Sequence, residues 1–157
     1  MPKRRTFKEK IILFIATAAY TGYAPKAPGT VGTLWGVVIA FFMCGLGIVP
    51  QALIILGVLA LSIYVSGEAA KIFDQKDPSR VTIDEVSGVL FAFFLVPFTP
   101  VNAIFVFLLF RIFDILKPWP ASKLDRDLSG GAGIVLDDVA SGIYVNIIAH
   151  ILLRFVL

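Results

Sequence analysis

Residues 31–67 read VGTLWGVVIAFFMCGLGIV-P-QALIILGVLALSIYVSG, without one charged side chain on either side of Pro50. A helix needs about 20 apolar residues to cross the hydrocarbon of a bilayer. The run 31–49 meets that length, and 51–73 meets it when Lys71 snorkels from its end. The stretch therefore reads as two membrane helices with Pro50 supplying the turn. Working outward, residues 86–110, broken by Pro97 and Pro100, and residues 139–153 are also uncharged. The whole chain has 157 residues, 58% hydrophobic and 16% charged, with mean hydropathy +0.89. A soluble domain is about half apolar and a quarter charged. The expected fold is all-α, a small polytopic membrane helical bundle forming one domain over residues 1–157.

The remaining elements follow from length. The segments 82–97 and 101–114 are short, either two thin spans or a re-entrant pair hinged at Pro97-Phe98-Thr99-Pro100. Both readings return the chain to the side it left. The last span is 138–157. Basic residues 1–5, an apolar stretch and Ala16-Thr17-Ala18 imitate a signal peptide, but the run 11–15 is short and Glu9 precedes it. An amphipathic or half-inserted helix over 7–19 is the better reading.

Following this threading, all 11 Asp and Glu fall on the side that holds the N-terminus, with all 14 Lys and Arg except Arg154. The excess of cations places that side in the cytoplasm. A net charge of +3 without basic-aromatic interleaving excludes a nucleic-acid footprint, and suits contact with anionic headgroups. The single Cys44 lies in an apolar run, where burial suppresses the thiolate, so it reads as a packing residue. His150, the only histidine, reads as a packing or interfacial residue. No sequence feature calls for an obligate protein partner.

Carboxylates near a membrane are expensive and ask for a function. Thr82-Ile83-Asp84-Glu85 has the form of a capping box, which alone would explain acids at a helix start. Adjacent carboxylates also suit a divalent cation shared with phosphate oxygens. Asp137-Asp138 repeats the pattern as helix-start acids before Val139, after Ser129-Gly130-Gly131-Ala132-Gly133, whose backbone N–H groups could approach a phosphate. Asp114 ends its helix against the dipole, with Arg111 and Lys117 three residues to either side and able to share one face. That trio is either a local ion-pair ladder or a metal ligand flanked by two phosphate clamps. Trp119, between Pro118 and Pro120, marks the membrane interface. Pro28-Gly29-Thr30-Val31-Gly32-Thr33 enters the first long helix, where Thr30 is an ordinary N-cap or, with Thr33 and nearby Lys26, part of an anion site. Secondary candidates are Asp125, Glu68 and Asp77. Asp77-Pro78 also starts a turn, Glu68 also ends the second helix, and Asp127 reads as a solvated loop acid.

Taken together, Pro28-Gly29-Thr30-Val31-Gly32-Thr33, Ile83-Asp84-Glu85-x-x-Gly88, Phe110-Arg111-Ile112-Phe113-Asp114-Ile115-x-Lys117-Pro118-x-Pro120, and Asp125 with Gly130-Gly131-x-Gly133-Ile134-x-x-Asp137-Asp138 resemble the phosphatidylglycerophosphatase A family. Four blocks stand in family order over roughly residues 21–148. Thr33 stands where that family usually has serine, and Ser141 where it usually has alanine. The resemblance implies a Mg²⁺-dependent phosphatase of the bacterial inner membrane, multi-pass and facing the cytoplasm. Its phospholipid substrate would be phosphatidylglycerophosphate, converted to phosphatidylglycerol and inorganic phosphate.

A phosphomonoester needs its equatorial charge neutralised and a nucleophile positioned. On this reading Asp84, Asp114 and Asp138 hold Mg²⁺ and Glu85 or Asp137 activates water. Arg111 and Lys117 clamp the phosphate. Metal-assisted water is the expected nucleophile, with an aspartyl-phosphate as the alternative. Three competitors have less support. An ion-coupled transporter would carry midplane acids, often between inverted repeats. A lipid-binding scaffold leaves the acids unexplained. A CDP-alcohol phosphotransferase would carry an Asp-Gly-x-x-Ala-Arg block, which is missing. The sequence Asp125-Arg126-Asp127 lacks the strand that the Asp-x-Asp nucleophile of haloacid dehalogenase-type phosphatases requires.

Overall fold

The computed structural model of the protein describes residues 5–156, which fold as seven α-helices with no strand among them. They are α1 (Phe7–Ala16), α2 (Pro28–Met43), α3 (Ile48–Phe73), α4 (Ile83–Ala92), α5 (Pro100–Leu116), α6 (Ala121–Asp127) and α7 (Gly130–Val156), with a 3-10 turn at Thr21–Tyr23. Two, α3 and α7, are long and apolar enough to cross a membrane. Lys3 and Arg4, which contribute to the cationic side, lie outside the described residues.

The short α4 is the centre of the bundle. Ile83, Val86, Ser87, Gly88, Val89, Leu90 and Ala92 are all buried, against α2 on one side and α7 on the other. Close approach is set by glycine. A Cβ built on Gly142 of α7 would sit 2.0 Å from the Gly88 carbonyl oxygen, and one on Gly131 would sit 1.7 Å from that of Ile63 in α3. Without side chains at these points, α7 lies directly on both α3 and α4. A core of Val89, Leu90, Phe93, Val106, Phe110 and Val145 fills the rest of the interior.

Ten residues of α4 rise only about 15 Å, half of the ~30 Å hydrocarbon thickness. Ala92 and Phe93 at its C-terminal end are buried, so the last carbonyls need partners inside the bundle. Asn146 of α7 donates to the carbonyls of Ala92 (3.1 Å) and Phe94 (2.8 Å), and His150 Nε2 lies 3.0 Å from Phe94 O. Gln51 of α3 accepts from the Leu95 N–H at 3.1 Å. Three polar side chains inside apolar helices thus do what water does at a soluble helix end. Replacing Asn146 by leucine is expected to cost about 1–3 kcal/mol, the penalty for stranding buried acceptors. Unfolding of purified protein in detergent reads this directly, and an unchanged midpoint would contradict the role.

Several boundaries differ from the sequence reading. The helix expected over 7–19 stops at Ala16, because Ala18, Ala19 and Tyr20 turn left-handed. Its N-terminus carries a capping box between Thr6 and Glu9, whereas Thr82, the box expected from sequence, makes no side-chain cap. Thr82 Oγ1 is instead buried without a partner. Pro50 is not the turn. Gly47 is the N-cap of α3 and Pro50 sits in its first helical turn, where a missing N–H costs nothing. Thr30 is not an N-cap either, since Ala27 (φ 47°) precedes a helix that begins at Pro28. The last helix starts at Gly130, so the glycine-rich stretch forms its first turn rather than a loop, and Asp137-Asp138 lie two turns inside it. Asp127 belongs to α6, not to a loop.

Candidate active site

Three helices bring their acids to one point, and a fourth closes it. The first turn of α4 supplies Asp84 and Glu85, and the third turn of α7 supplies Asp137 and Asp138. The last two turns of α5 supply Arg111 and Asp114, and the start of α2 closes the fourth side with Ala27, Pro28 and Gly29. These residues, with Lys117 and the α3–α4 connection at Asp77, Pro78, Ser79 and Val81, line a polar cavity of about 270 Å³. The α4–α7 contact at Gly88 fixes the geometry, because a Cβ there would lie 2.7 Å from the Asp138 carbonyl oxygen.

Asp84, Glu85 and Asp138 each offer one carboxylate oxygen, and the three oxygens lie within 4.8 Å of one another. Asp138 is buried and the other two are partly buried. Asp84 Oδ1, Glu85 Oε2 and Asp137 Oδ1 are buried without a hydrogen-bond partner. Buried polar atoms are almost always satisfied, and clustered anions are paired or bind a cation. Oxygen-only donors in this number suit a hard divalent ion.

The cations are arranged around this group. Arg111 Nη1 donates to Asp114 Oδ2, lies 3.9 Å from Glu85 Oε1, and reaches the Thr33 hydroxyl at 3.5 Å. Thr33 is fully buried and itself donates to the Gly29 carbonyl at 2.9 Å. Gly29 allows this packing, because a Cβ there would lie 2.1 Å from Glu85 Oε1 and 3.2 Å from Arg111 Nη1. Lys117 leaves the α5 face altogether. It caps the helix with φ 44°, and its ammonium lies 2.5 Å from Asp137 Oδ2 and 3.2 Å from Asp125 Oδ1. The expected shared face of Arg111, Asp114 and Lys117 is therefore split into two ion-pair groups. Burial works against the Lys117 charge, but the Asp137 and Asp125 carboxylates outweigh it and hold the ammonium above the ordinary lysine range. Lys117 stays positive at every physiological pH.

Of the residues singled out from sequence, Asp84, Glu85, Asp114, Asp137, Asp138, Arg111, Lys117 and Asp77 all line the cavity. Asp125 touches it through Lys117 and lines an adjoining surface cleft. Glu68 is elsewhere, paired with Lys71 at 2.6 Å on α3. Lys26, Thr30 and Thr33 are not in the lining, although Thr33 orients Arg111 from behind. The compact triad contains Glu85 where the sequence reading placed Asp114, because Asp114 is engaged by Arg111. Gly29 and Ser79 were not identified as site residues. Gly29 stands inside the quoted Pro-Gly-Thr block, whereas Ser79 had no signal.

The sequence model for the phosphatidylglycerophosphatase A family matches residues 14–153. Phosphatidylglycerophosphatase A of Haemophilus influenzae is 32% identical over 139 residues, covering 87% of this chain and 85% of that protein. The Escherichia coli K12 protein of the same name is 28% identical over 130 residues, covering 82% and 76%. A Bacteroides thetaiotaomicron protein, provisionally named a phosphatidylinositol-3-phosphatase, is 35% identical over 141 residues, covering 84% and 87%. No solved structure matches the chain.

Proposed function

The chain belongs to the phosphatidylglycerophosphatase A family and so hydrolyses phosphatidylglycerophosphate to phosphatidylglycerol and inorganic phosphate; we propose that Asp84, Glu85 and Asp138 hold the divalent cation for that reaction, with Mg²⁺ the natural occupant. The observation that carries this reading is the convergence of three carboxylate oxygens within 4.8 Å of each other on two glycine-packed helices. Two of these side chains also carry buried oxygens with no other partner. Asp84, Glu85 and Asp138 would hold a divalent cation that, when bound, would supply Lewis-acid neutralisation of the phosphoryl oxygens.

The chain's own groups do the rest. Arg111 and Lys117 face the cavity and receive the non-bridging oxygens of the phosphomonoester, each steadied by acids behind it. Asp137 has one oxygen on Lys117 and the other unpartnered, which leaves Oδ1 to accept the proton of an attacking water. Water adds to phosphorus, the ester P–O bond breaks, and the alcohol departs with a proton.

The membrane setting follows the same reading. The acidic cavity lies where α4 and α7 begin and α5 ends, at the cationic, cytoplasmic face of the bacterial inner membrane. There, α3 and α7 cross, the 16 residues of α2 rise about 24 Å of the ~30 Å hydrocarbon, and α4 and α5 enter and leave on one side. The α1 helix lies at the interface with Phe7, Ile11 and Phe14 exposed. Acyl chains stay in the bilayer while the headgroup reaches the acids.

The test is direct. Purified protein in detergent micelles, given phosphatidylglycerophosphate and Mg²⁺, is expected to release phosphate and phosphatidylglycerol in equal amounts, read by phosphate assay and mass spectrometry. Folded protein that releases neither contradicts the reading.

A further inference from the structure

From the chemistry of the cavity wall, we propose that the enzyme does not read the polyol of its substrate. It acts on phospholipids whose headgroup polyol carries a phosphomonoester, inositol as well as glycerol. This rests on the phosphatase reading above and extends it to substrate class.

The polar lining divides into two parts. Asp84, Glu85, Asp138, Arg111, Asp114, Lys117 and Asp137 are bound to one another or reserved for cation and phosphate. The wall left for the polyol is Ala27, Pro28, Pro78, Val81 and Ile134, with carbon-only side chains. Such a wall discriminates by shape alone, which is worth about 10–200-fold. Discrimination of about 10⁴–10⁵-fold requires buried polar groups that are stranded when the wrong hydroxyl pattern binds. The two other polar side chains on the rim, Asp77 and Ser79, are both exposed. A hydroxyl bonded there replaces water and gains little.

The experiment compares phosphatidylglycerophosphate with phosphatidylinositol 3-phosphate in the same detergent micelles, as kcat/KM from phosphate release. The two values are expected to lie within about 200-fold of each other. Ser79→Ala is expected to change their ratio by less than about tenfold, the range of one exposed hydrogen bond. A ratio beyond about 200-fold, or a Ser79→Ala variant that loses one substrate while keeping the other, overturns the proposal. Hydrolysis of phosphatidylglycerophosphate alone defeats this inference and leaves the phosphatase reading standing, whereas hydrolysis of neither defeats both.

Discussion

Asp84→Asn is expected to lower turnover at least about 10²–10³-fold, the scale of losing one preorganised electrostatic contact at a phosphoryl centre. The substitution keeps the shape of the side chain and removes its charge. Asp84 contributes to the carboxylate triad with Glu85 and Asp138, and its Oδ1 is buried without a partner. Removing one anion from a crowded group relieves repulsion, so the folded protein is expected to be no less stable. Phosphate release and thermal unfolding of the same preparation separate the two effects. Near-normal turnover contradicts the proposed metal role, and unfolding at a much lower temperature contradicts the account of the cluster as strained.

Gly142→Ala is expected to do the opposite of what helix propensity predicts. Alanine ordinarily stabilises a helix interior by about 1 kcal/mol over glycine. Here the new Cβ would meet the Gly88 carbonyl oxygen at 2.0 Å, and backbone cannot step aside as a flexible side chain can. Forcing α7 off α4 is expected to cost about 1–3 kcal/mol. It also moves Asp138 away from Asp84 and Glu85. A shift of about 1 Å can cost on the order of 10²-fold in rate, so activity falls even where the protein remains folded. Gly57 on α3 is the control, since a Cβ there meets nothing within 4 Å. Gly57→Ala is expected to be neutral or stabilising and fully active. Equal behaviour of the two variants in detergent unfolding and phosphate release contradicts the role assigned to the α4–α7 contact.

Much of the site was legible in the sequence because charge is scarce in this chain. Asp84, Glu85, Asp114, Asp137 and Asp138 stood out against uncharged runs, and all five reach one cavity. Arg111 and Lys117 were found by the same contrast, but their partners were not. Lys117 sits past the end of α5 in a left-handed conformation, so helical spacing does not describe where its ammonium goes. The start of α7 was hidden for a related reason. Gly131 and Gly133 have low helix propensity, and their place in a helix is decided by packing against α3 and Leu128, which no local pattern reports. The capping function of Gln51, Asn146 and His150 was equally hidden, because it depends on α4 ending where two other helices pass. Thr82-x-x-Glu85 was misleading as a capping box because Glu85 is turned toward Arg111 and the other acids.

The central claim is that these carboxylates hold a divalent cation for phosphomonoester hydrolysis. Its most direct test is phosphate release from phosphatidylglycerophosphate in detergent micelles, with Mg²⁺, with EDTA, and with EDTA followed by excess Mg²⁺. Release is expected with Mg²⁺, with loss in EDTA and recovery when Mg²⁺ is restored. Equal release in EDTA would contradict it and return the triad of Asp84, Glu85 and Asp138 to a structural role.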